Sequence, residues 1–218
     1  MTRLLFAVAA YASLHWVSCA VARAQSERSE DLIHQDPKPV WVEANLGYSY
    51  VDLGALSYDN LYPSNISPSS SGGTGGVAAG IAFDFFTVGT RFTGAAYSDF
   101  GLGTVTFEGG VRLRRVEAWE LYTRAGAGYA WVMGGSDDAR INNLSINGWT
   151  LILGVGVNVY PSKTLSIGGG LNFSTLSLTR KSLFGAPPTD AIEESLSKPG
   201  SAAGVSLTAQ ILQVTLHL

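Results

Sequence analysis

Few residues in this sequence could do chemistry, and their positions argue against most reactions. Of three histidines, only His34 and His217 lie beyond residue 24. A serine hydrolase needs a histidine hydrogen-bonded to its nucleophile. His34 sits in a polar lead-in and His217 is the penultimate residue, so neither is placed for that role. The sole cysteine is Cys19. With two scattered histidines it makes no metal-ligand cluster and no disulfide framework. Asp137-Asp138 reads as a solvated loop pair rather than a calcium site. The Gly-x-Gly pairs at 126/128, 154/156 and 168/170 do not complete a dinucleotide fingerprint, and no Lys-Ser/Thr follows Gly72 to Gly80 as a phosphate loop requires. No catalytic residue, metal or cofactor emerges, and the chain is read as a non-enzyme.

What remains is a set of charges spaced among small residues: Glu43, Arg91, Glu108, Arg112, Arg114, Glu120 and Arg124. Carboxylates and guanidinium groups pair strongly when water is excluded, and they must pair if they are buried. Whether these are buried depends on the elements that carry them.

From Val40 to Leu218 apolar residues alternate with polar or tiny ones at period two, the mark of strands with two unlike faces. Val40, Val42, Ala44, Leu46, Tyr48 and Tyr50 share one face, while Trp41, Glu43, Asn45, Gly47 and Ser49 share the other. Similar runs begin near Val77, Phe86, Thr104, Trp119, Trp149 and Leu165, and a last one reaches Leu218. In that last run Val205 to Ile211 is out of phase with Leu212 to Leu218, which a β-bulge near Ile211-Leu212 would reconcile. The count is eight strands.

Connections alternate in length. Short turns fall near Asp84-Phe85, Arg115 to Ala118 and Pro161 to Lys163. Long ones span Gly54 to Gly76, Met133 to Gly148 and Leu176 to Ala203, with Ser98 to Gly103 a brief connection on that same side. Such asymmetry fits an outer-membrane barrel with both termini at the short-turn end.

Which face is outside decides the class. The polar face also carries Gly47, Gly80, Gly89, Gly110, Gly126, Gly128, Gly154, Gly156, Gly168 and Gly170. Glycine weakens a water-facing strand, but inside a closed barrel it makes room for long neighbours. The apolar face puts Tyr48, Tyr50, Tyr129, Trp131, Trp149 and Phe173 near the long loops and Phe83, Phe86 and Trp119 near the short turns. These suit two interfacial aromatic girdles. The expected fold is therefore all-β: an eight-stranded antiparallel up-and-down transmembrane β-barrel, with the seven charges lining its lumen.

Composition agrees. The chain is 46% hydrophobic and only 14% charged, with 26 glycines, where soluble domains carry roughly 25% charged residues. Residues 1–24 read as a signal peptide closing on Ala22-Arg23-Ala24, 25–39 as a flexible periplasmic lead-in, and 40–218 as the barrel. Removing the first segment leaves 12 basic and 17 acidic side chains, a net charge of −5. No basic cluster remains to grip nucleic acid.

On strand pattern, loop asymmetry and the terminal apolar strand, the chain resembles the small outer-membrane barrels that include the OmpA transmembrane domain, OmpX and OmpW. Its last residue, Leu218, departs from the Phe or Trp usual at the end of that strand. The resemblance implies the cell outer membrane as location, with outer-membrane lipid and the barrel-assembly machinery as partners, but fold alone implies no chemistry. The leading expectation is a structural or surface-binding barrel plugged by its own charges and presenting its long loops to an extracellular ligand, above all Leu176 to Ala203. The alternatives are a narrow porin-like channel for small solutes and a soluble secreted binding barrel.

Overall fold

Alternating residues from Val40 onward form eight strands that hydrogen-bond in chain order and close on themselves. A computed structural model describes residues 39–59, 61, 67–83, 85–116, 119–134, 145–180, 194, 197 and 199–218. The strands are β1 (Val40–Asp59), β2 (Ser69–Ala82), β3 (Phe86–Ala96), β4 (Phe100–Val116), β5 (Trp119–Gly134), β6 (Ile146–Ser162), β7 (Leu165–Arg180) and β8 (Gly200–His217). Each pairs antiparallel with the next, and β1 pairs with β8 to shut the barrel. This is the up-and-down eight-stranded barrel that the alternation predicts. Residues 1–38, and with them the signal peptide and lead-in, lie outside the described residues, as do Asp137-Asp138 and most of 181–198.

The strands run further into the long connections than composition suggests. β1 continues to Asp59 and β2 already starts at Ser69, so much of Gly54 to Gly76 is strand, and β7 and β8 likewise extend into Leu176 to Ala203. Serine and glycine are poor strand formers, but a closing ladder supplies a hydrogen-bond partner to every backbone group that joins it. Pairings such as Tyr48↔Gly73 and Tyr50↔Ser71 hold this serine- and glycine-rich stretch in register.

The phase change in β8 is resolved at the expected place. Leu46 pairs with Leu212 and Gly47 with Gln210, so Ile211 is the extra residue of a bulge. Ile211 and Leu212 both point outward, 58% and 43% exposed. The apolar phase before the bulge and the apolar phase after it thus share one outer face.

That outer face is greasy throughout. Phe107 is 65% exposed and Leu153 61%, among a wide belt of exposed aliphatic and aromatic side chains. Polar side chains occupy the inside, where glycines make their space. A Cβ on Gly80 or Gly89 would come within 2.6 Å of the Trp41 ring, and one on Gly156 within 2.5 Å of Tyr122. No helix among the described residues is long and apolar enough to cross a membrane.

Candidate functional site: a layered lumen

The lumen is stacked in layers, from the end where β1 begins and β8 finishes to the end with the long loops. Nearest the termini, the alternation turns Trp41, Glu120, Asn158, Tyr160, Ser166, Thr215 and His217 inward. Glu120 accepts the Tyr160 hydroxyl at 3.2 Å and faces Arg112 Nε across 3.6 Å. Several of these side chains line a cavity of about 70 Å³.

Above this lies a charged tie. Arg91 is buried between two carboxylates carried by different strands. Its Nε donates to both oxygens of Glu108 at 3.0 and 3.1 Å, and its Nη1 donates to Glu43. Asn45 adds a bond to Glu43 and Thr106 one to Glu108. Beside it Arg124 donates through Nη2 to Asn172 at 2.7 Å and also to Gln210, with Glu108 4.0 Å away. Tyr122 donates to Gln213, which donates in turn to Asn158. The tie links β1, β3 and β4, and the Arg124 and Tyr122 networks add β5 to β8. Desolvated ion pairs of this kind hold because each charge meets both an opposite charge and further hydrogen bonds.

The next layer is lined by hydroxyls. Ser49, Tyr97, Ser206 and Thr208 bond to one another, and with Thr74, Thr104 and Thr150 they surround a space of about 50 Å³. At the loop end the lumen turns apolar. Val51, Leu53, Leu61, Phe100, Leu102, Ala130, Ile146, Leu176, Leu178 and Ala202 form one buried cluster. Arg180 lies buried there, its Nε donating to the Leu61 carbonyl at 3.0 Å. That bond fastens a residue of the β1–β2 connection across the mouth.

Of the seven expected lumen charges, Glu43, Arg91, Glu108, Glu120 and Arg124 are buried inside, and Arg112 lines the same space. The Arg114 side chain lies outside the described residues. Its backbone pairs with Leu121 across a bulge at Leu113, while Arg112 pairs with Tyr122. The aromatics Tyr48, Tyr50, Phe83, Trp119, Tyr129, Trp149 and Phe173 all stand exposed on the outer face. Phe86 stacks on Phe83 with centroids 4.4 Å apart, and Trp131 lies over Gly103.

Two features escape the sequence reading. One is the buried apolar cluster at the loop end of the lumen, where the sequence reading fills the interior with polar and charged side chains alone. The other is a hydrogen bond of 3.3 Å between Ser166 Oγ and His217 Nε2. Pairing of Ser166 with Thr215 brings the two together. Ser166 is 0% exposed and faces the lumen, and His217 lines the cavity at the terminal end. Among the described residues no three His, Cys, Asp or Glu side chains gather as a metal site.

The sequence matches no protein-family model and no curated protein. Its fold does match solved structures. Neisserial surface protein A superposes with a TM-score of 0.56 at 12% identity, covering 84% of this chain and all of that one. The outer-membrane protein AlkL, solved in lipid bilayers, gives 0.52 at 12% identity over 88% of this chain and 97% of its own. OprG, an outer-membrane protein of Pseudomonas aeruginosa, gives 0.51 at 9% over 84% and 98%. At these identities the likeness is one of fold: the chain has the architecture of the small eight-stranded outer-membrane barrels.

Proposed function

We propose that this chain is an outer-membrane barrel whose interior is shut and whose work is done at its long-loop end, as a structural or surface-binding protein. The closed lumen carries this reading: the Glu43–Arg91–Glu108 tie blocks the middle, and the apolar cluster with its Leu61–Arg180 fastening blocks the mouth. The spaces on either side of the tie, about 70 Å³ toward the termini and about 50 Å³ toward the loop end, are each large enough for only a few waters. Eight strands leave an interior just wide enough for side chains to fill. The exposed apolar belt fits contact with outer-membrane lipid, and insertion would then pass through the barrel-assembly machinery. The connection between Arg180 and Gly200 is the longest on that side, which makes it the natural contact surface for an extracellular ligand.

Single-channel recording of the refolded protein in a planar bilayer tests the closure. A silent bilayer, with folding verified by a boiling-dependent gel shift, is the expected result. Discrete open steps whose ion preference changes on Arg112→Ala would establish a pore instead. Recovery of the folded protein in aqueous supernatant without detergent would end the membrane reading.

A further inference from the structure

We infer that the outer face carries a seat for one hydrocarbon chain of a lipid from the leaflet at the long-loop end, which rests on the membrane reading above. An open apolar groove of about 570 Å³ crosses β8, β1, β2 and β3, with Val214, Ala44, Leu46, Val77, Phe92 and Gly94 in its lining. Two residues along from the outward Val77, Phe92 and Val105 stand Gly75, Gly94 and Gly103, which the registers set side by side. Two residues further, Gly73, Ala96 and Gly101 form a second such rung. Leu46 and Tyr48 wall this floor from β1, and Trp131 and Met133 lie over Gly103 and Gly101 from β5.

The protein's own packing does not explain the floor. Inside the barrel, glycines make room for Trp41 and Tyr122, but a Cβ on Gly73 or Gly94 would meet nothing within 4 Å. Glycine weakens a strand, and where it stays it marks a bulge or the close approach of another body. β2 and β3 pair without a bulge, which leaves the second. The groove selects that body. Its side chains are apolar and its backbone groups are spent in the ladder, so a polar occupant would forfeit its hydrogen bonds. A second copy meeting this face two-fold would set groove against groove and leave the space unfilled, against the close packing of protein contacts. A flexible hydrocarbon chain fills it. The groove is also continuous with the exposed belt of Val42, Val105 and Phe107, whose neighbour in a membrane is lipid. At its loop end the Tyr48 hydroxyl donates to Ser71 on the exposed surface, the level at which a chain passes into its headgroup.

Trp131 provides the readout in a chain from Gln25 carrying Trp119→Phe and Trp149→Phe. Its ring lies over Gly103 and 5.8 Å from that of Phe92 in the groove wall, while Trp41 stays inside the barrel. Phosphatidylcholine with dibromostearoyl chains is titrated into the refolded barrel in dodecyl maltoside micelles while tryptophan fluorescence is followed. Quenching should saturate at a low mole fraction of lipid. Gly94→Leu, whose Cβ meets no atom of the protein, fills the groove from its floor and should abolish that saturation, leaving only the proportional rise of random contact. Ala44→Phe fills the groove from β1 and should do the same, with folding of both variants checked by the boiling-dependent gel shift. Quenching that is proportional to lipid and equal in all three chains would overturn the seat. So would a dimer seen by sedimentation in micelles and dissociated by Gly94→Leu, which assigns the groove to a second copy. Failure of the membrane reading itself shows separately, as folded protein recovered from water without detergent.

Discussion

Arg91 and Glu108 face each other inside adjacent strands, the guanidinium Nε donating to both carboxylate oxygens at 3.0 and 3.1 Å, with Glu43 on the other side of the same guanidinium. One cation thus holds two anions from β1 and β4. Breaking such a group from one side leaves an uncompensated charge in a dry place, at a cost of about 3–5 kcal/mol.

Arg91→Ala, which strands both Glu43 and Glu108, should therefore be the most damaging single change in the lumen. Equilibrium unfolding in micelles should register a loss in that range. Arg112→Ala should lose clearly less, since its pair with Glu120 is long at 3.6 Å and Glu120 keeps the Tyr160 hydroxyl. Equal losses for the two would mean that Arg91 is not the central tie.

The apolar seal makes a separate prediction, because it closes the mouth independently of the charges below. Leu178 is fully buried in that cluster, and Leu178→Ala should cost about 2–5 kcal/mol by removing packed side-chain volume. It should still leave planar bilayers silent, since the Glu43–Arg91–Glu108 tie is intact. Open steps from Leu178→Ala alone would place the only barrier at the mouth.

Much of this organisation can be read in the sequence, and the exceptions have physical causes. Period-two alternation tells which residues share a face, so Glu43, Arg91, Glu108, Glu120 and Arg124 can be assigned to the lumen and the Ile211 bulge can be expected from a phase reversal. It does not tell register. That Arg91 lies against Glu43, 48 residues away, follows only from the pairing Ala78↔Arg91 with Glu43↔Ala78 beside it. Nor does alternation reveal a change of layer. Val51 and Leu53 keep the inward phase of Glu43 and Ser49, but beside Gly54 and a serine-rich stretch they look like the start of a loop. The bulge at Leu113 is hidden because arginines flank it on both sides, so either phase reads as charge inside.

Inward glycines can be tested for the space they make. A Cβ at Gly154 would fall 2.3 Å from Asn172 Oδ1 and 2.9 Å from Arg124, meeting only side chains. Gly154→Ala should thus destabilise the barrel by pushing Asn172 off the Arg124 guanidinium. Asn172→Ala in the same chain should recover part of that loss, because it clears the collision. The double-mutant cycle should show a coupling of about 0.5–3 kcal/mol. Strictly additive losses would mean that the glycine serves the backbone rather than Arg124.

The membrane reading predicts a depth profile on the outer face. Phe107 stands near the middle of β4, paired with Thr90 and Ala127, and is 65% exposed. Trp119 opens β5 beside the short turn. If lipid covers this face, a charge is expensive at mid-depth and cheap at the rim, about 2–4 kcal/mol against 0–1 kcal/mol. Phe107→Arg should therefore destabilise the barrel refolded in lipid vesicles far more than Trp119→Arg does, as reported by the denaturant midpoint for release from the vesicles. In short-chain detergent, which packs loosely around a protein, the gap between the two should shrink. Were both substitutions equally mild in vesicles, the exposed apolar belt would face something other than a bilayer core, because water or a protein partner imposes no such gradient along the strand.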